Sequence, residues 1–146
     1  MAFTGNYTCN RFKYFLSVGG GPTIASTFKI ALYTNEATLN ADTTVYTTVG
    51  EVSAPGYTAG GLVLTPSVSS IDQVDATGVA YINFSNVSWS GAITARGALI
   101  YYGIDLPAFN TVPVCVLDFG SDKTSTTTFT VDFPTASSTD ALIRLS

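Results

Sequence analysis

From Phe28 onward the apolar residues of this chain alternate with period two, and that rhythm restricts it to a strand-built fold. In Phe28-Lys29-Ile30-Ala31-Leu32-Tyr33, the residues Phe28, Ile30 and Leu32 share one face and Lys29, Ala31 and Tyr33 the other. Further candidate strands cover residues 44–49, 61–68, 79–84, 95–102, 112–119, 126–133 and 141–145, giving eight in all. Between them lie Thr34-Asn35-Glu36, Ser53-Ala54-Pro55-Gly56, Asp75-Ala76-Thr77-Gly78 and Gly120-Ser121-Asp122-Lys123, whose Gly, Pro, Asn and Asp suit tight reversals. Short strands at this spacing predict an all-β fold, an antiparallel β-sandwich of jelly-roll or immunoglobulin-like type. At 146 residues the chain makes one ordinary domain without help from disulfides or metals.

Two strands predict their own burial. Ala98-Leu99-Ile100-Tyr101-Tyr102 and Val112-Pro113-Val114-Cys115-Val116-Leu117 are almost continuously apolar, so both faces need covering and both belong in the middle of a sheet. Residues 128–133 alternate cleanly instead, with Phe129, Val131 and Phe133 inward and Thr128, Thr130 and Asp132 toward water. Trp89 reads as a core anchor. Arg96, next to an apolar strand, needs a partner if buried, and Asp118 on a neighbouring strand is the candidate.

Residues 1–22 differ from the sandwich expected over 23–146. They carry Phe3, Tyr7, Phe12, Tyr14 and Phe15 and end in Gly19-Gly20-Gly21-Pro22. Thr8 or Asn10 is placed to cap a short helix holding Phe12, Phe15 and Leu16 on one face. The segment either closes one end of the core or forms an arm that packs on a neighbouring subunit, because five aromatics are too apolar for a free terminus.

Composition narrows the chemistry. Six basic residues, unclustered, against ten acidic ones leave no electrostatic footprint for nucleic acid or for an anionic membrane. No apolar run is long enough to span a bilayer, and the first residues lack a signal peptide's charged head and apolar stretch, so a cytoplasmic site of synthesis is expected. Polarity comes instead from 22 Thr and 14 Ser. Cys9 and Cys115, far apart in sequence, read as two free buried thiols. With no histidine, the commonest general base and metal ligand are missing, and no enzyme activity is expected.

Motif matches are weak. Ser26-Thr27-Phe28-Lys29 has the Ser-x-x-Lys spacing of penicillin-recognising enzymes, but it runs into a strand where that chemistry needs a helix. The Asn-x-Ser/Thr triplets at Asn6, Asn83 and Asn86 are chance products of the composition. Asp72 with Asp75, and Asp118 with Asp122 and Asp132, fall short of the oxygen density of a calcium loop, so no metal and no cofactor is expected. Tyr33, Tyr46, Tyr57 and Tyr101 offer aromatic faces of the kind that stack on sugars, which keeps a carbohydrate- or cell-surface-binding module open.

The stretch from Phe28 to Ser146 resembles a widespread group of small virion proteins of tailed bacteriophages. The resemblance lies in Ile30-Ala31-Leu32-Tyr33-Thr34, Ala41-Asp42-Thr43-Thr44, Glu51-Val52-Ser53, Gly56-Tyr57-Thr58-Ala59-Gly60-Gly61 and Trp89-Ser90. It continues through Ile93-Thr94-Ala95-Arg96-Gly97-Ala98-Leu99-Ile100-Tyr101, then Val116-Leu117-Asp118-Phe119-Gly120-Ser121-Asp122-Lys123-Thr124 and Ile143-Arg144. It implies a capsid decoration or cement protein on the virion surface, made in the host bacterial cytoplasm. The implied partners are the major capsid protein and further copies of the chain, for example as a trimer. A neck, tail or baseplate component is the alternative. The resemblance assigns no catalysis to Arg96, Asp118, Asp122 or Lys123, which are read as supports for loops and strand ends.

Overall fold

The computed structural model describes residues 3–19, 22, 27–68, 78–103, 111–137 and 139–145. Among these the chain is all-β and antiparallel, with ten strands and one short helix, in keeping with a sandwich class. Ser26, Asp72 and Asp75 lie outside the described residues. The chain divides into two compact units, residues 1–63 with 89–129 and residues 64–88 with 130–146.

The first unit is organised by a five-stranded sheet. Its strands are β1 (Tyr7–Thr8), β2 (Phe28–Tyr33), β3 (Leu62–Leu64), β7 (Thr94–Gly103) and β8 (Thr111–Thr124), in the order β1-β8-β7-β2-β3. Both apolar runs are central, as their composition requires. Register places Ile30, Ile100 and Cys115 in one row, and Ala31, Leu99, Val116 and Tyr7 in the next, which faces the other way. All are buried except the half-buried Tyr7, so neither face of β7 is wet. One face packs against Phe3, Cys9, Ala37 and Leu39. Cys9 and Cys115 are free and buried. Burial pushes the Cys9 thiol up to about 12, and burial followed by the nearby Cys9 raises Cys115.

The N-terminal segment is part of this unit. β1 pairs Tyr7 with Val116 and Thr8 with Cys115. Helix α1 (Asn10–Ser17) follows, with Phe12 buried edge-on against Tyr102 at 6.4 Å between ring centroids. Neither Thr8 nor Asn10 caps it. Cys9 holds the N-cap position without a side-chain bond, because Asn10 is already helical and turns its amide group to Asp42 (2.7 Å). The helix stops at Val18, and Gly19 takes the left-handed conformation (φ 76°) usual after a helix end.

In the second unit, β10 (Ile143–Leu145), β5 (Ala80–Phe84) and β4 (Pro66–Val68) form a sheet in that order. Pro66, which has no N–H to give a ladder, sits on the edge strand. Buried Asn83 donates to Pro134 O (2.7 Å) and accepts from Leu142 N–H (3.1 Å). The remaining strands, β6 (Val87–Ser90) and β9 (Thr128–Val131), pair with each other. In β9, Phe129 and Val131 are buried and Thr128 and Thr130 exposed, as the alternation predicts, and Trp89 is buried edge-on to Phe129.

Several strand and turn expectations need correction. Residues 44–49 form no strand, because side chains take up their backbone groups: Thr44 O accepts from Arg11, Tyr46 N–H donates to Thr111 Oγ1, and Thr47 O accepts from the Tyr33 hydroxyl. Gly120-Ser121-Asp122-Lys123 is not a reversal. It lies inside β8, where pairing of Asp118 with Gly97 resumes at Lys123 with Ala95, so the extra residues bulge out between two stretches of ladder. Residues 61–68 break at Thr65 into β3 and β4, which join different sheets, and 87–90 is a strand that the pattern did not single out. Ends also move: the last strand begins at Ile143, not 141, and β9 covers Thr128–Val131, not 126–133, whereas β7 and β8 run beyond the expected 95–102 and 112–119.

Helix α1 gives a direct test. Phe12→Ala should destabilise the protein by about 3–5 kcal/mol, while Tyr14→Ala on the exposed side should change stability by less than about 0.5 kcal/mol. Chemical denaturation of the two variants measures the difference.

Candidate functional site

The long connection between β2 and β3 folds back over the sheet, and Glu51 fixes it there. Glu51 forms a β-bridge with Tyr33 at the end of β2. Its Oε2 accepts from the Tyr46 hydroxyl (2.6 Å), and its Oε1 from the Tyr57 hydroxyl (2.6 Å) and the Gly60 N–H (2.7 Å). The Tyr57 oxygen in turn accepts from Leu32 N–H (2.9 Å), tying the carboxylate to the strand backbone. Tyr101 of β7 donates to Gly60 O (2.8 Å) and stacks on Tyr46 at 4.8 Å. At Gly61 (φ 71°) the chain passes so near β2 that a Cβ would lie 1.7 Å from Ile30 O.

Of the four tyrosines singled out in the sequence, Tyr46 and Tyr57 therefore bond one carboxylate, while Tyr33 gives its hydroxyl to Thr47 O and Tyr101 to Gly60 O. Tyr33 and Tyr101 are buried, and Tyr46 has one face against Tyr101, so Tyr33 and Tyr101 give no exposed stacking surface for a sugar. This corrects the platform reading for those two residues. Glu51, which receives the Tyr46 and Tyr57 hydroxyls, carried no signal by itself: a lone glutamate among turn residues has no periodicity. Its place in Glu51-Val52-Ser53, one of the stretches that carry the resemblance described above, was the available clue.

Burial is the first cause raising each tyrosine's pKa. The Glu51 charge adds to it, through a hydrogen bond at Tyr46 and Tyr57 and through space at Tyr33 and Tyr101. Tyr101 is pushed up to about 12.

A second clasp holds the N-terminus. Arg96 on β7 pairs with Asp118 on β8, as expected, and the Phe3 ring lies 5.9 Å from the guanidinium carbon. Asp118 N–H donates to the Asn6 side chain (2.7 Å), and Asp118 Oδ1 accepts from Gly120 N–H (2.8 Å), which shapes the start of the bulge. Gly97 leaves the space that Phe3 occupies, since a Cβ there would come within 2.4 Å of the ring. Asp122 and Lys123 are exposed on β8, and Lys123 reaches only its neighbour Ser121 (3.0 Å) among the described residues. Thus Arg96 and Asp118 meet, and Asp122 and Lys123 stand apart from them.

The aromatic N-terminal residues divide in the same way. Phe3 and Phe12 are consumed by the chain's own core, Tyr7 and Phe15 are half-buried, and Tyr14 is 61% exposed. Tyr14 lies on α1 and Val18 (57% exposed) at its C-cap, and Arg11 of that helix grips Thr44 O, next to Val45 (44% exposed). Among the described residues no three His, Cys, Asp or Glu side chains gather as a metal site, and no helix is long and apolar enough to cross a membrane. Compared with family models, curated proteins and solved structures, the chain finds no significant match.

Alkaline titration tests the tyrosine cluster. Raised folded-state values mean that the cluster's contribution to stability is complete below the ordinary tyrosine value of 10.0 and is lost as pH rises through the folded values, near 12 for Tyr101. Ultraviolet absorbance should show Tyr33, Tyr46, Tyr57 and Tyr101 ionising together with unfolding. Their ionisation in the intact fold near pH 10 would contradict the cluster.

Proposed function

We propose that this protein is a structural subunit of a tailed-phage virion, a capsid decoration or cement protein that binds the outer shell and bridges neighbouring major capsid subunits. The observation that carries this reading is the outward side of α1. Tyr14 on the helix that Phe12 anchors and Val18 at its C-cap stand exposed, with exposed Val45 in the loop that Arg11 holds. Large apolar side chains fixed in place on a surface, in a chain with only 11% charged residues, suit an interface formed in a repetitive assembly. The resemblance of residues 28–146 to small phage virion proteins points the same way. Stabilisation would follow from mass action: contacts available only on the assembled shell oppose its disassembly.

The protein should bind assembled shells and not dissociated major capsid subunits, as read by co-sedimentation. Equal binding to both would reject the cement mechanism. Tyr14→Asp combined with Val18→Asp should weaken shell binding by about tenfold or more while leaving the melting temperature within a few degrees. Immunogold labelling of particles separates the locations: label across the head supports decoration, and label at one vertex or on the tail supports the neck, tail or baseplate alternative.

A further inference from the structure

The connection that Glu51 ties down leaves an open cleft of about 450 Å³ on its outer side, lined among others by Glu51, Tyr57, Pro55, Ala54, Thr48 and Ser53. A carboxylate offers about four lone-pair sites. Three are taken here, two on Oε1 by Tyr57 and Gly60 and one on Oε2 by Tyr46. One site on Oε2 remains.

All three donors are neutral, so they orient the carboxylate without cancelling its charge. Among the described residues the salt bridge formed is that of Arg96 with Asp118; no cation bonds Glu51 directly, and the Lys29 ammonium stands near Gly60 without pairing with the carboxylate. Half-buried Glu51 thus combines a fixed geometry, a charge that no bonded cation cancels and an acceptor site left over, beside an aromatic ring and the apolar surface of Pro55 and Ala54. Such walls suit a cation carried on an apolar stem. A guanidinium fits better than an ammonium, because its planar head is weakly hydrated, stacks on aromatic rings and presents donors in a fork.

We propose that this cleft receives an arginine side chain of a partner protein. The guanidinium would donate to Glu51 Oε2 and lie beside the Tyr57 ring, with its methylene stem along Pro55 and Ala54 and the hydroxyls of Thr48 and Ser53 at the polar rim. The site is separate from the exposed side chains of α1 and does not depend on the virion reading.

N-acetyl-arginine amide is the probe, titrated into the isotope-labelled full chain and followed by amide resonances. Those of residues 48–59 should shift saturably with a dissociation constant of about 1–10 mM, a range suited to a single side chain. N-acetyl-citrulline amide, the neutral isostere, should bind at least about tenfold more weakly, since it lacks the charge. Glu51→Gln should abolish the saturable shift. Because that change also alters the tyrosine bonds, Ser53→Trp supplies a second route: Ser53 is exposed, lines the cleft and takes no part in the Glu51 bonds, so a bulky side chain there should obstruct the cleft without removing them. Loss of the shift in both variants supports the site. Absence of a saturable shift in the natural chain, equal binding of the citrulline compound, or undiminished binding by either variant would overturn it. None of these failures bears on shell binding, which is read on particles.

Discussion

A strand without a polar face has to be covered twice, and β7 is such a strand. Ala98, Ile100 and Tyr102 point one way and Leu99 and Tyr101 the other, all buried. The flanking strands β2 and β8 satisfy its backbone but leave both surfaces in need of apolar neighbours. The N-terminal segment and the long connection after β2 supply much of that cover, and each is irregular chain that has to be held down by particular contacts.

The two clasps solve this problem by the same means. Glu51 gathers two tyrosine hydroxyls and a backbone amide, and Asp118 joins Arg96 while receiving Gly120 and passing its own N–H to Asn6. In each case a carboxylate at the border of the sheet converts a loop's unpaired donors into ordered bonds, which is where a carboxylate's several acceptor sites are most useful. The two carboxylates differ in charge balance. Asp118 is matched by a guanidinium, whereas Glu51 is held by neutral groups, and that contrast distinguishes a closed structural contact from one with capacity left.

Sequence reading recovered the parts governed by periodicity. The class, the central position of the two apolar runs, the inward set Phe129 and Val131, the anchoring role of Trp89 and the pairing of Arg96 with Asp118 all follow from alternation and from the cost of burying an unpaired charge. Failure came where side chains replaced backbone partners. Residues 44–49 have strand composition, yet Arg11, Tyr33 and Thr111, distant in sequence, take up their polar groups. Residues 120–123 have turn composition, yet the ladder resumes beyond them and turns their excess length into a bulge. The tyrosines were visible as a set, but whether their rings face water or a carboxylate depends on how a long connection folds back, which local pattern does not encode.

The pairing of Tyr7 with Val116 sets the order in which the molecule can be completed during synthesis. A ribosome releases β1 and α1 long before their partner strand exists, and β2 likewise waits for β7. Until β7 and β8 emerge, Phe3 and Phe12 lack the residues they pack against, so these aromatic side chains wait uncovered while the intervening chain is made. Final closure then joins the first and last parts of this unit in one late, non-local step. Such topology, with pairings far apart in sequence, favours slow folding.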